Sequence, residues 1–283
     1  MKKKKSISYL KRRFTLGVSR HYRELTSKDR VLPNFIVIGV QKGGTSSLFR
    51  YLSQHPDVLP GYKKEVKFFD GHYQKGLDWY RYNFPLIKQM DDPNAQTGEA
   101  SPSYVIHPLV AQRIKESLPN IKLILLLRDP VARAYSQYHG NLRKGSEVLS
   151  FQDAIEQEES RLDGQRDGII ADQKYPMYKY LTFSYLTRGI YIEQLKNWYE
   201  SFSREQILIL KSEDFFDNPP KVYPRVLKFL GLADLNLKDY EIYNYGRYET
   251  MDAETEKKLR AYFYPHNQEL YDYLGTSFDW ENL

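Results

Sequence analysis

The chain contains no cysteine, which removes disulfides and thiol chemistry from any account of it. Its six histidines, at 21, 55, 72, 107, 139 and 266, are too scattered for a local metal-binding pair, and no HExxH motif occurs. That pattern argues against a metal enzyme, and no metal is expected. No apolar run approaches the ~18 residues of a membrane span. The leading residues also lack the apolar core of a signal peptide, so a cytoplasmic location is the expectation. Internal repeats are absent too.

Positive charge is present but unevenly spread. Residues 1–30 hold 11 Lys/Arg and 2 Asp/Glu, a local charge of +9, so the remaining residues carry −3 of the total of +6. The segment 1–30, "MKKKKSISYLKRRF" onward, is set apart as a basic, flexible tail, since like charges repel and little apolar surface is there to order them. Weak contact with an anionic polymer or membrane surface is its other reading. A slightly acidic body over 31–283 gives no support for nucleic-acid binding.

Within 31–283, buried-type strands alternate with amphipathic helices. "FIVIGV" (35–40), "IKLILLLRDP" (121–130) and "QILILKSEDF" (206–215) are continuous apolar runs rich in β-branched residues or leucine, typical of strands covered on both faces. "EVKFFD" (65–70) reads as a further short strand, which would point Glu65 and Lys67 to one face. Helices are expected at "TSSLFRYLSQHP", "HPLVAQRIKESLPN", "FQDAIEQEESRL", "YIEQLKNWYESF", "KVYPRVLKFLGL" and "DAETEKKLRAYFYPHNQELYDYLG". Asp129 is placed as an N-cap, with Pro130 at the first helical position. The polar stretch 161–176 reads as a surface loop. The fold class that follows is a single α/β domain, P-loop-like, with a central parallel sheet flanked by helices.

The turn after the first strand carries the chemistry. Gly43 and Gly44 let backbone N–H groups approach an anion at a helix N-terminus, Thr45, Ser46 and Ser47 add hydroxyls, and Lys42 adds a charge. A plain glycine turn is the alternative. A triphosphate loop would need G-x-x-x-x-G-K-[ST]. Here the lysine precedes the glycines, and the spacing from Gly39 to Gly43 is one residue short. An anion cradle without an obligatory metal fits better.

"GVQKGGTSSL" followed by "LLLRDPVARAYSQY" resembles the two nucleotide-binding motifs of sulfotransferases that use 3′-phosphoadenosine 5′-phosphosulfate, of the heparan sulfate sulfotransferase type. "EVKFFDGHYQKGLDWYRYNFP" and "GRYETMD…LRAYFYPHNQELYDYLGTSFDW" resemble further landmarks of that group, so the likeness runs over about 33–281. It implies that residues 42–46 grip the 5′-phosphosulfate. It also implies that Arg128 and Ser136 hold the 3′-phosphate, with Gly246 and Arg247 starting a loop that closes over it. Arg128 also suits a bidentate phosphate contact on its own terms, at a strand end before a helix; pairing with Asp129 is the alternative. Lack of the cysteine pair found in animal relatives suggests a bacterial-type soluble member.

Sulfuryl transfer needs a base for the acceptor's proton. Glu65 is the candidate, on its place beside Lys67 and on the resemblance; surface pairing with Lys63 or Lys64 is the competing account. Lys42 would stabilise charge on the bridging oxygen. Lys67 would orient Glu65 or meet the acceptor, although relatives often have histidine there. In "TGEASPSY" the family often has a lysine after the glutamate, where this chain has Ala100, and Glu99 is open to a substrate or a structural role. The acceptor is expected to be a carbohydrate or other small hydroxyl or amine. A P-loop kinase acting on ATP and a degenerate nucleotide- or glycan-binding protein are the rival functions.

Overall fold

The computed structural model describes residues 20–282 apart from 173, 244, 245 and 247. The tail over 1–19 therefore lies outside the described residues, as does Arg247. Residues 20–30, which the charge count groups with the tail, pack on the domain. Arg30 is buried and donates to Phe84 O at 2.8 Å, and Arg23 donates to Tyr82 O at 2.9 Å.

Among the described residues, four strands form one wholly parallel sheet. They are β1 (Phe35–Gly39), β2 (Gly98–Ala100), β3 (Lys122–Leu127) and β4 (Ile207–Lys211), in the spatial order β2-β1-β3-β4. Successive side chains of a strand point to opposite faces, and the core divides accordingly. Ile36, Ile38, Leu123 and Leu125 join one buried cluster, while Phe35, Val37, Ile124 and Leu126 join another. That is why the runs read as continuously apolar: both faces are covered.

β1 hands over to α1 (Thr45–Leu52). α2 (Phe68–Gly71) and α3 (Gly76–Arg81) precede β2, α4 (Val110–Ser117) precedes β3, and α5 (Pro130–Lys144) follows it directly. A block of short helices comes next: α6 (Phe151–Glu156), α7 (Glu158–Leu162), α8 (Gln165–Ala171) and α9 (Tyr178–Phe183). α10 (Tyr191–Ser201) leads to β4, and α11 (Ser212–Asp217), α12 (Pro219–Leu230) and α13 (Ala253–Leu274) follow. α4, α10 and the end of α13 cover one face of the sheet; α1 and α12 cover the other. No helix among the described residues is long and apolar enough to cross a membrane.

β1 lies between β2 and β3, so the next strands in sequence go to opposite sides of it. A crevice opens at such a switch point, at the carboxyl ends of the strands. The turns after β1 and β3 flank it. Asp129 caps α5 as expected, accepting from Val131 N at 3.0 Å with Pro130 in the first turn.

Two expectations need correction. The segment 65–70 is not a strand. Lys67 adopts φ 56°, which ends the extended chain, and α2 begins at Phe68. Phe68 and Phe69 are both wholly buried in one aromatic cluster; in a strand they would face opposite sides. The polar stretch 161–176 is not a plain loop either. Gly164 at φ 65° leads into α8, whose Ile169 packs with Ile106 and Tyr180, and Leu162 at the end of α7 packs against the same cluster. A few apolar residues anchor short helices that an average over the stretch hides.

The bend at Gly39 tests the packing. A Cβ there would meet Val105 Cγ1 at 2.6 Å, whereas one at Gly71 would meet nothing. Gly39→Ala is expected to lower stability by about 1–3 kcal/mol through overpacking. Gly71→Ala should be neutral or raise it by up to about 1 kcal/mol. Urea unfolding midpoints check both, and equal midpoints would contradict the packing.

Candidate active site

The turn after β1 is tied down from several sides. Val40 N donates to Leu126 O at 2.9 Å, and Gly43 N donates back to Val40 O at 3.0 Å. A Cβ on Gly43 would lie 2.9 Å from the Leu126 carbonyl oxygen, so only glycine fits. Gly44 takes φ 94° and leads into α1. Lys42 sits at φ 73°, a conformation rare for a residue with a side chain and one that collects at functional sites. The Arg128 guanidinium donates to Lys42 O at 3.0 Å, Ser212 Oγ donates to Gly43 O at 2.9 Å, and Arg188 donates to Gln41 Oε1 at 2.6 Å. Thr45, Ser46 and Ser47 form the first turn of α1, which has no acidic residue there.

Cations crowd this turn. Burial, then the charges of Lys144, Arg143, Arg128 and Arg133, hold the Lys42 ammonium down to about 8. Its Nζ lies over α5 at Gly140, where a Cβ would approach within 2.7 Å. Ser136, Gly140 and Arg143 fall at helical spacing on α5 (i, i+4, i+7). Arg143 in turn lies beside Gly246, 3.3 Å from where a Cβ would be. Tyr248 stacks on His139 of the same helix, with ring centroids 4.5 Å apart and an interplanar angle of 5°. Lys42–Ser46, Arg128, Ser136 and Gly246 are thus gathered where β1, β3 and α5 meet.

Asp129 does not serve Arg128. Its carboxylate caps α5 and lies 3.5 Å from Arg260 of α13. Arg260 also donates to Trp280 O at 2.8 Å. Trp280 Nε1 donates to Glu213 Oε2 at 3.2 Å, and Asp129 N donates to Glu213 Oε1 at 2.9 Å. These four residues close a ring behind the turn.

Glu65 lies on the other flank, half-exposed. Lys64 Nζ is 3.5 Å from one of its oxygens and Lys67 Nζ 3.6 Å from the other. The surface-pairing account of Glu65 is therefore partly realised, with Lys64 as partner, and Lys67 meets the carboxylate although the segment is no strand. Its neighbours are fixed by Glu99 at the centre of β2. This wholly buried carboxylate accepts from Tyr80 Oη at 2.7 Å, Ser101 Oγ at 2.7 Å, Tyr104 Oη at 3.0 Å and Val66 N at 3.1 Å. With four internal donors and no exposure, Glu99 is structural. Burial pushes it up to about 7, against the pull of those hydrogen bonds.

Three further side chains escaped the sequence reading, Asp70, Arg133 and Arg188, and Lys64 makes a contact that it did not anticipate. Lys64 Nζ donates to Ser46 Oγ at 2.6 Å. Asp70 is buried, which raises its pKa; it accepts from Ser103 Oγ at 2.5 Å. Arg133 and Arg188 are buried beneath the turn. No motif in the sequence signalled the three buried residues. Among the described residues no group of three or more His, Asp or Glu converges as a metal-ligand set.

Residues 32–282 match the sulfotransferase domain family. The chain is 29% identical over 316 residues to the membrane-associated sulfotransferase kil1 of Dictyostelium discoideum, covering 89% of this chain and 67% of that protein. It is 30% identical over 279 residues to human heparan sulfate glucosamine 3-O-sulfotransferase 3B1, covering 90% and 66% respectively. It therefore spans about two thirds of the length of these curated relatives. The crystal structure of a sulfotransferase from Alicyclobacillus acidocaldarius superposes with a TM-score of 0.70 at 29% identity, covering 89% of this chain and all of that one.

Glu99 makes the site's framework sensitive to pH. Its folded value of about 7 lies above that of a free glutamate, so the native state holds this proton more tightly than the unfolded chain does. The contribution to stability is full below the ordinary glutamate range and is lost as pH rises to about 7, by about 3 kcal/mol. Glu99→Gln should make the dependence shallower by that amount between pH 4.5 and 7. Denaturant unfolding across that range reads it; an unchanged slope would contradict the assignment.

Proposed function

The chain belongs to the sulfotransferase domain family, and on that premise we propose that it moves a sulfuryl group from 3′-phosphoadenosine 5′-phosphosulfate to a hydroxyl or amine of a carbohydrate-like acceptor. The observation that carries this reading is the crowding of Lys42 by Arg128, Arg133, Arg143 and Lys144 at one glycine turn. Such a site suits a polyanion, because each cation depresses its neighbours until negative charge arrives. At about 8, the Lys42 ammonium is still mostly charged at neutral pH.

In this reading the loop 42–46 holds the 5′-phosphosulfate through backbone N–H groups, hydroxyls and the start of α1. Arg128 and Ser136 take the 3′-phosphate, and Gly246 and Arg247 close over it. The acceptor oxygen or nitrogen attacks sulfur in line with the bridging oxygen. The bond from sulfur to that oxygen breaks, its electron pair stays on the departing phosphate, and Glu65 receives the acceptor's proton. Lys42 stabilises the charge growing on the bridging oxygen, an effect typically worth ~10²–10³ in rate. Lys67 steadies Glu65 or meets the acceptor.

A carbohydrate acceptor gains support from the surface beside Glu65. The half-buried Trp79 ring has Lys75 Nζ at 4.6 Å and Lys63 Nζ at 5.7 Å, with His72 edge-on at 4.8 Å. The ammonium groups gathered over that ring suit an acceptor bearing acidic groups, such as a sulfated or carboxylated sugar. The human relative is named for glucosamine in heparan sulfate, which makes that polymer the first acceptor to try.

The test is calorimetric titration with 3′-phosphoadenosine 5′-phosphate without metal, beside ATP with magnesium. Micromolar binding of the bisphosphate, about −8 kcal/mol, should be lost in Arg128→Ala. Glu65→Gln should keep that affinity while transfer falls by ~10²–10⁴. Preference for magnesium–ATP would make the protein a kinase. Bisphosphate binding without transfer to any of a panel of glycans would make it a binding protein.

A further inference from the structure

Lys64 lies between two parts of the site that the sequence gives no reason to connect. Its Nζ donates to Ser46 Oγ at 2.6 Å in the first turn of α1 and stands 3.5 Å from Glu65 Oε1. Its side chain is 27% exposed, against 48% for Lys67 on the other carboxylate oxygen. Burial lowers its pKa, the Glu65 carboxylate opposing that shift. The backbone is equally constrained. Lys64 O accepts from Ala100 N at 3.1 Å, and Val66 N donates to Glu99. Glu65 thus sits between two anchored residues, with its side chain left to choose a direction.

We infer that Lys64 is a positioning residue that couples the phosphate loop to the carboxylate, turning Glu65 toward the donor end of the site when that end is filled. The inference rests on the donor reading above. One ammonium with three donor hydrogens can satisfy a hydroxyl and a carboxylate together. A phosphate bound at the first turn of α1 would lie within the field of Lys64, and the ammonium between the two anions would hold the carboxylate at that end of the site against their mutual repulsion. Lys67, more exposed and with no such bond to the phosphate loop, lacks this link.

Hydrogen exchange read by mass spectrometry tests the coupling, with 3′-phosphoadenosine 5′-phosphate as the probe. In the wild-type protein the bisphosphate should slow exchange in residues 62–68 as well as in 41–47. In Lys64→Met the protection of 41–47 should remain and that of 62–68 should be lost, while Lys64→Arg should restore it and Lys67→Met should leave it intact. Retained protection of 62–68 in Lys64→Met would overturn the inference, as would its loss in Lys67→Met instead. So would loss of bisphosphate affinity in Lys64→Met, which would make Lys64 part of the donor pocket. Absence of protection anywhere in the wild-type protein would remove the donor reading first, and the coupling with it.

Discussion

A single sealed carboxylate, Glu99, holds together the end of the molecule where the two sides of the crevice meet. β2 is only three residues long, too short to fix a neighbouring segment by a ladder. Glu99 does this with side-chain chemistry. It draws the Val66 N–H, two tyrosine hydroxyls and a serine hydroxyl onto its two oxygens. Tyr104 and Ser101 then accept from Phe68 N and Lys67 N, extending the grip along the same segment. Leaving any of these buried donors unpaired is costly, so the network is made whole or not at all. Glu65 is held between neighbours whose backbone groups are hydrogen-bonded on both sides.

The opposite wall depends on buried guanidinium charge held mainly by neutral acceptors. Arg188, wholly buried and held down to about 9 by burial and by Arg133, donates to Ser184, Gln41 and the Leu181 carbonyl. Arg133 donates to Gln137 and the Tyr185 carbonyl, and its Nε has no partner. None of these acceptors is ionised. The buried carboxylate of Glu158 lies within the field of both guanidiniums, and Asp70 within that of Arg188, without accepting a hydrogen bond from either among the described residues. Charge kept away from water is expensive, and the fold concentrates it under one turn.

Much of this could be read from the sequence where the cause was local. The apolar runs at 35–39, 122–127 and 207–211 declare strands because both faces of a parallel sheet are covered. Asp129 and Pro130 declare a helix start through backbone requirements of their own. Lys42, Gly43 and Gly44 stand out because few other reasons gather them after a strand. What stayed hidden depended on partners distant in sequence. Glu65 and Lys67 looked like alternate positions of a strand, yet Lys67 turns left-handed because Phe68 and Phe69 both sink into the aromatic cluster around Tyr80 and Trp79. Glu99 could not be recognised as structural until its four donors were known. Arg133 and Arg188 carry no pattern at all; only the fold brings them under Gln41.

The ring of Asp129, Arg260, Trp280 and Glu213 gives the molecule an order of assembly. The turn that follows β3 is braced by α13 and by Trp280, both made long after the strand itself. The residues that form the first three strands and the glycine turn are all in place in the sequence before Glu213, Arg260 and Trp280. Since a domain folds as a unit, the turn after β3 gains its full backing only when residue 280 has joined the chain and closed the ring.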